Sequence, residues 1–166
     1  MSDRSVEPLI LHRDFKAPMK LVYETWTREE HLCRWQVPNG KVTCEYKFAD
    51  IREGGEALHR MLMPNGNAMW LLTRYHELQP HHTIVFTQYQ SNENGEIIQP
   101  PMPNWPKEIR ATLKLSETNG ITSMTFTWQP INPSREEAEA WLAASHQAGN
   151  GWAGSFELLA GYLTKI

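Results

Sequence analysis

The residues best suited to chemistry in this sequence are its seven histidines, because imidazole exchanges protons near neutral pH and binds metals. None stands with another His or Cys at the spacing of a recognised metal site, so the sequence predicts no metal ion. His59 shares strand parity with Ala57 and Met61, which indicates an inward, apolar side of a strand. There it can contact a ligand, act as a general acid or base, or be a satisfied core histidine.

Arg74 is the second candidate, because a guanidinium can anchor a ligand carboxylate or phosphate. It shares strand parity with Trp70 and Leu72, and the sequence allows that face to point either inward or outward. No serine-nucleophile motif, phosphate-binding glycine loop or zinc-protease motif is present. The sequence therefore favours a binding protein that needs no cofactor over an enzyme.

Length and composition predict one globular domain over residues 1–166. With 40% hydrophobic residues and a net charge of −3, the chain can form one core and has no basic surplus for nucleic acid. Its longest apolar run, residues 68–72, is far too short to span a membrane. Residues 1–8 lack the apolar stretch of a secretory signal, so we expect a cytoplasmic protein, either a monomer or a homodimer.

The two cysteines are expected to be reduced and buried. Cys33 falls on a predicted helix and Cys44 on a predicted strand. Neither belongs to the closely spaced Cys pair that is typical of zinc or redox sites.

Alternating hydrophobicity predicts seven strands. The first covers residues 9–15, and the next covers 41–50, with Tyr46 and Phe48 on one face. Three more cover residues 56–63, 68–78 and 83–90. The last two pair across a turn at Asn119-Gly120, a dipeptide typical of tight hairpins.

Helical spacing predicts two short helices after the first strand and a long C-terminal helix. The first short helix begins near Pro18, and Thr27 with Glu30 fits a capping box for the second. The long helix begins after Ser134 and must bury one face. Gly149-Asn150-Gly151 is expected to kink or divide it.

This order is that of an α+β protein, in which the antiparallel sheet buries one face on the long helix. A strongly twisted sheet curled around one helix leaves interior volume that side chains cannot fill. We therefore expect a cavity between sheet and helix. Its gate would be the Pro-rich segment over residues 91–107, which carries Trp105.

The candidate cavity residues are side chains expected on inner strand faces, on the opening and closing helices and on the gating segment. Both parities remain open for the strands over 56–63, 68–78 and 83–90. Most of the seven tryptophans are expected to be core residues. The candidates are Trp35, Tyr46, Phe48, His59, Met61, Trp70, Leu72, Arg74, Phe86, Trp105, Trp128, Trp152 and Phe156.

Four stretches carry a family resemblance that spans nearly the whole chain. In order and spacing they resemble the small proteins related to the C-terminal domain of the activator of the heat-shock-protein-90 ATPase, within the SRPBCC or START-like superfamily. The resemblance implies the helix-grip fold. This sequence differs from the family pattern at Gln36, where the family often has a second tryptophan after Trp35. The stretches are Ala17-Pro18 with Val22, Trp26-Thr27, Glu30-His31-Leu32 and Arg34-Trp35; Asp50-Ile51-Arg52-Glu53-Gly54-Gly55 followed by Met63-Pro64-Asn65-Gly66; Tyr75-His76-Glu77-Leu78-Gln79-Pro80 with Ile84-Val85-Phe86-Thr87; and Gly151-Trp152 with Leu158, Leu159 and Tyr162-Leu163.

The resemblance implies a container rather than one chemistry, because the superfamily includes lipid carriers, cyclases and interaction domains. The first hypothesis is a protein that holds a small apolar or amphipathic molecule in its cavity. One alternative is an interaction module acting on a chaperone ATPase, which would present an exposed contact patch. Another is an enzyme of cyclase or hydrolase type that uses His59 or a cavity carboxylate as acid or base.

Overall fold

The computed structural model describes residues 6–166 and confirms the α+β helix-grip prediction. Residues 1–5, part of the segment that led us to expect no secretory signal, lie outside this range. No helix in the described range is both long and apolar enough to cross a bilayer. The elements are β1 (Leu9–Phe15), α1 (Met19–Thr27), α2 (Glu29–Trp35), β2 (Thr43–Ala49), β3 (Glu56–Leu62), β4 (Ala68–Gln79), β5 (Thr83–Ser91), β6 (Ile109–Thr118), β7 (Ile121–Pro130) and α3 (Arg135–Leu163).

The seven strands form one antiparallel sheet in the order β1-β7-β6-β5-β4-β3-β2. Because side chains alternate along a strand, one set of them points toward the helices. This set includes Phe86, Leu113 and Phe126. These pack with Phe156 and Leu159 of α3 in the main core. Burial of such large apolar side chains is the main stabilising contribution in a domain of this size.

The hairpin between β6 and β7 confirms the turn predicted from Asn119-Gly120. Both residues have positive φ, 54° for Asn119 and 78° for Gly120. Two successive left-handed residues match the twist of the flanking strands, which is why Asn-Gly is favoured there.

The long helix α3 runs as one element through Gly149-Asn150-Gly151, so the expectation that these residues divide it is wrong. Its first turn is fixed by a capping box, in which Ser134 and Glu137 each accept a backbone hydrogen bond from the other. Gly149 and Gly154 are instead positions of close approach. A Cβ would lie 2.1 Å from a Leu9 methyl carbon at Gly149 and 2.1 Å from the Pro38 carbonyl oxygen at Gly154.

Gly154→Ala should therefore destabilise the fold, by about 1–3 kcal/mol, because a backbone oxygen cannot move aside as a side chain can. Gly161→Ala is the matched control, since nothing lies within 4 Å of its would-be Cβ. That change should be neutral or stabilising, by up to about 1 kcal/mol, because alanine favours the helix. Urea unfolding of both variants tests this, and equal midpoints would show that α3 and Pro38 are not in close contact.

The second short helix does not use the predicted capping box. Thr27 belongs to the end of α1, where its hydroxyl donates to the Tyr23 carbonyl oxygen at 3.0 Å. Arg28 is extended and precedes α2, which begins at Glu29 without a side-chain cap. The Thr27–Glu30 pattern therefore lies across a sharp junction between two helices.

Cys33 and Cys44 form a disulfide, so the prediction of two reduced, buried thiols is wrong. The bond joins α2 to β2, with the two Cα atoms 5.1 Å apart, a separation that a disulfide can bridge. Both residues are half-buried. Sequence spacing did not indicate the pair, because its closeness arises from the packing of a helix against a strand.

Candidate functional site

A pocket of about 280 Å³ lies between the inner face of the sheet and α3. Its larger walls are apolar, and four polar side chains line it: Gln36, Gln88, Gln90 and Ser155. No charged side chain of the described residues lines it. The remaining lining residues are apolar or small: Pro38, Met61, Met69, Leu71, Trp105, Trp128, Ala148, Gly151 and Trp152.

Strand register brings the sheet side of this pocket together. Met61 pairs with Met69 across β3 and β4, and Gln88 of β5 pairs with Thr73 of β4. Because side chains alternate along a strand, Gln90 projects to the same side as Gln88. α3 supplies the opposite wall, and the segment after α2 supplies a third.

The glutamine side chains are held by specific partners. Gln36 accepts a hydrogen bond from the Tyr46 hydroxyl. The side-chain nitrogen of Gln88 donates to Thr73 Oγ1 at 3.1 Å, and that of Gln90 lies 3.3 Å from Met69 Sδ. These contacts leave the side-chain oxygens of Gln88 and Gln90 free of any hydrogen bond from residues 6–166.

Trp105 lines the pocket and lies in the segment predicted to be a gate. Its ring centroid is 6.1 Å from that of Trp128 and 5.4 Å from that of Trp141. The segment is tied to α3, because the Lys107 backbone N–H donates to a Glu137 carboxylate oxygen at 3.1 Å. Trp105 also lines a smaller pocket of about 70 Å³ that shares Gln88 and Gln90.

His59 lies on the inner face with Ala57 and Met61, one of the two parities that the sequence left open, but it does not line the pocket. It is fully buried, and its ring centroid is 4.7 Å from that of Tyr46. Neither ring nitrogen has a hydrogen-bond partner among the described residues. Burial lowers the pKa of His59 to about 4, so the imidazole is neutral at pH 7.

The structure brings nine of the thirteen candidates to the interior. Four line the pocket: Met61, Trp105, Trp128 and Trp152. The other five lie in the packed layer around it: Trp35, Tyr46, His59, Phe86 and Phe156. Trp35 illustrates this layer, since it is buried against Trp26 and its Nε1 donates to the Thr25 carbonyl oxygen.

Four candidates lie on the opposite, outer face of the sheet: Phe48, Trp70, Leu72 and Arg74. A β-bulge between Tyr46 and Phe48 turns Phe48 outward, where it is 44% exposed. Arg74 donates to a Glu56 carboxylate oxygen at 2.7 Å and lies 5.0 Å over the Tyr89 ring. It therefore cannot anchor a ligand in the pocket.

A larger pocket of about 490 Å³ surrounds the Gly54-Gly55 turn. It is lined by Arg74 and Arg52, and each already has a carboxylate partner. Because both guanidinium groups are already paired with carboxylates, the pocket offers no unpaired cation with which to hold a ligand. Within residues 6–166 no three His, Cys, Asp or Glu side chains are grouped as a metal site requires.

The polar lining residues were missed by sequence reasoning. Gln88 and Gln90 share strand parity with Phe86, a chosen candidate, and a glutamine on an apolar strand face is a usable signal. Gln36 stood out only as the residue that replaces a tryptophan in the family pattern. Ser155, whose hydroxyl donates to the Val37 carbonyl oxygen at 2.6 Å, gave no sequence signal.

Solved structures with this fold come from several bacteria. A protein from Arthrobacter aurescens is 19% identical with a TM-score of 0.80, covering 100% of this chain and 91% of its own. One from Mycobacterium smegmatis is 15% identical with a TM-score of 0.77 and 98% coverage of both chains. One from Chromobacterium violaceum is 21% identical with a TM-score of 0.72, covering 95% of this chain and 96% of its own.

Identities this low show a shared fold and no shared activity. A search of curated proteins finds no significant match. The family model described as activator of Hsp90 ATPase homolog 1-like protein matches residues 16–164, which includes both short helices, strands β2 to β7 and α3. The chain therefore belongs to the activator of Hsp90 ATPase homolog 1-like family.

Proposed function

We propose that this protein binds a small apolar or amphipathic molecule in the pocket between the sheet and α3. The observation that carries the proposal is the pocket's lining of three tryptophans, two methionines and a few oriented polar groups. Small-molecule sites typically combine apolar walls with a small number of placed hydrogen-bonding groups. At about 280 Å³ the pocket suits a compact molecule of one or two rings.

The segment that carries Trp105 supports a gated site. Trp105 and Pro106 are buried, while the preceding residues 101–104 are exposed. Since the segment is anchored at Lys107 by Glu137, the pocket would open if Trp105 moved away from Trp128 and Trp141 while the anchor holds. Short surface segments of this kind often act as lids.

The direct test is a titration with 6-propionyl-2-dimethylaminonaphthalene, an uncharged dye whose emission shifts to the blue in apolar surroundings. We expect saturable binding, weakened at least tenfold in Ala148→Trp, because Ala148 lines the pocket and a tryptophan there fills it. Ala143→Trp makes the same change on the exposed side of α3 and should bind as the wild type does. Equal affinity in the two variants would place the dye elsewhere and contradict the proposal.

A second candidate is an interaction with a chaperone ATPase, which the family description suggests. The observation that favours it is a group of exposed apolar residues before Trp105: Ile97, Ile98 and Met102, each more than 40% exposed. Stimulation of an Hsp90 ATPase by the wild type, lost in Ile97→Ser/Ile98→Ser, would support this role. No stimulation at a large excess of the protein would argue against it.

Cytoplasmic location and a monomeric or dimeric state remain predictions. Thiols in the cytoplasm are mostly kept reduced, so a protein working there would hold Cys33 and Cys44 as a dithiol. Whether α2 and β2 are covalently joined therefore depends on the compartment in which the protein works.

A further inference from the structure

We infer that the ligand of this pocket is uncharged and donates a hydrogen bond from an N–H or O–H group to the side-chain oxygens of Gln88 and Gln90. The inference rests on the proposed function and narrows it to one ligand chemistry. It differs from the expectation that Arg74 anchors a carboxylate or phosphate, because Arg74 lies on the other face of the sheet.

The charge of the ligand follows from the charge of the lining. Every described side chain that lines the 280 Å³ pocket is uncharged. Lys107 lines only the adjoining 70 Å³ pocket, and it is an exposed residue. His59, which lies beside Leu71 as its cross-strand partner, is neutral at pH 7 and does not line the pocket. An ionised ligand would lose its hydration there without gaining an opposite charge, and that loss costs far more than a neutral ligand pays.

The donor requirement follows from the orientation of two amides. The sulfur of Met69 has no hydrogen to donate, so the side-chain nitrogen of Gln90 must be the group that faces it. The Gln90 oxygen then points away from Met69. The side-chain nitrogen of Gln88 likewise donates to Thr73 Oγ1, so its oxygen points away from Thr73. Two residues on one strand face therefore present side-chain oxygens as hydrogen-bond acceptors.

Three matched probes separate these requirements by isothermal titration calorimetry. Indole is uncharged and has one N–H donor, 1-methylindole lacks the donor, and indole-3-acetate is an anion at pH 7. Flat rings of this size suit a pocket walled by Trp105, Trp128 and Trp152. We expect indole to bind about tenfold more tightly than 1-methylindole, the value of one hydrogen bond, and indole-3-acetate to bind at least thirtyfold more weakly than indole.

Gln90→Leu tests which atom accepts the hydrogen bond. Leucine keeps the size of the side chain and removes the oxygen, so the preference for indole over 1-methylindole should fall to about twofold or less. Gln129→Leu makes the same change on β7 next to Trp128, on the face of the sheet away from the pocket. It should keep the wild-type preference.

The outcomes distinguish the inference from the proposed function. If indole and 1-methylindole bind equally, or if indole-3-acetate binds as well as indole, the inference is overturned while the pocket remains a binding site. If none of the three probes binds and the uncharged dye also fails to bind, the proposed function fails and the inference fails with it. Retention of the full preference in Gln90→Leu overturns the assignment of the acceptor.

Discussion

Acidification from pH 6.5 to pH 4 should destabilise this protein by about 3 kcal/mol through His59 alone. The side chain is fully buried on the inner sheet face and has no hydrogen-bond partner among residues 6–166. Burial therefore disfavours the imidazolium and lowers the pKa of His59 from 6.5 to about 4 in the folded state.

The sign follows from proton uptake by the two states. Below pH 6.5 the unfolded chain binds a proton at His59 that the folded protein does not accept until about pH 4. The unfolded state is therefore favoured progressively as the pH falls through this window. Above pH 6.5 neither state is protonated at His59 to a large extent, so this loss of stability is absent. Above about pH 4 the neutral imidazole also leaves two buried nitrogens without a partner among residues 6–166, at a cost of about 1–3 kcal/mol each.

His59→Leu should remove both effects, because leucine fills a similar volume without a titratable or polar group. At pH 7 the variant should be as stable as the wild type or more stable, and its stability should fall less steeply between pH 6.5 and pH 4. Met61→Leu, on the same face of β3, changes packing without removing a titratable group and should keep the wild-type pH dependence. Urea unfolding at several pH values measures all three, and parallel profiles for His59→Leu and the wild type would contradict the prediction.

The elements of the fold follow closely from local patterns. Alternation predicted all seven strands, and Asn119-Gly120 predicted the β6–β7 turn, because period and turn chemistry are properties of short segments. The glycines of α3 show a feature that local patterns could not predict. Gly149 looks like a helix breaker in sequence, yet Gly149 and Gly154 each meet a partner from a distant segment, Leu9 or Pro38, that only the folded chain brings near.

The candidate site was harder to predict, because it depends on which strand face is buried. One bulge after Tyr46 reverses Phe48, and the outward assignment of Trp70 and Arg74 is fixed only by pairing with β3 and β5. Apolar residues also occur on the outer face, where Leu72 packs with Tyr89 in a small separate cluster. A hydrophobic pattern therefore could not distinguish the two sides of β4.

Reduction of the Cys33–Cys44 disulfide should destabilise the protein by about 3 kcal/mol, because the bond closes a short loop that the unfolded chain otherwise explores. The double variant Cys33→Ser/Cys44→Ser should lose about the same amount. Thermal or urea unfolding with and without dithiothreitol measures the effect. In the double variant the reductant should change nothing, which makes it the control for effects of dithiothreitol elsewhere in the chain.

The same bond should also influence the pocket, because Gln36 and Pro38 follow α2 directly and form one of its walls. With the disulfide in place, α2 is held to β2 at Cys44, two residues before Tyr46, whose hydroxyl donates to Gln36. When the bond is opened, that hydrogen bond still joins β2 to the residue that follows α2. We therefore expect indole to bind severalfold more weakly to the reduced protein, and unchanged affinity on reduction would show that the wall is held by Tyr46 and Gly154 without the disulfide.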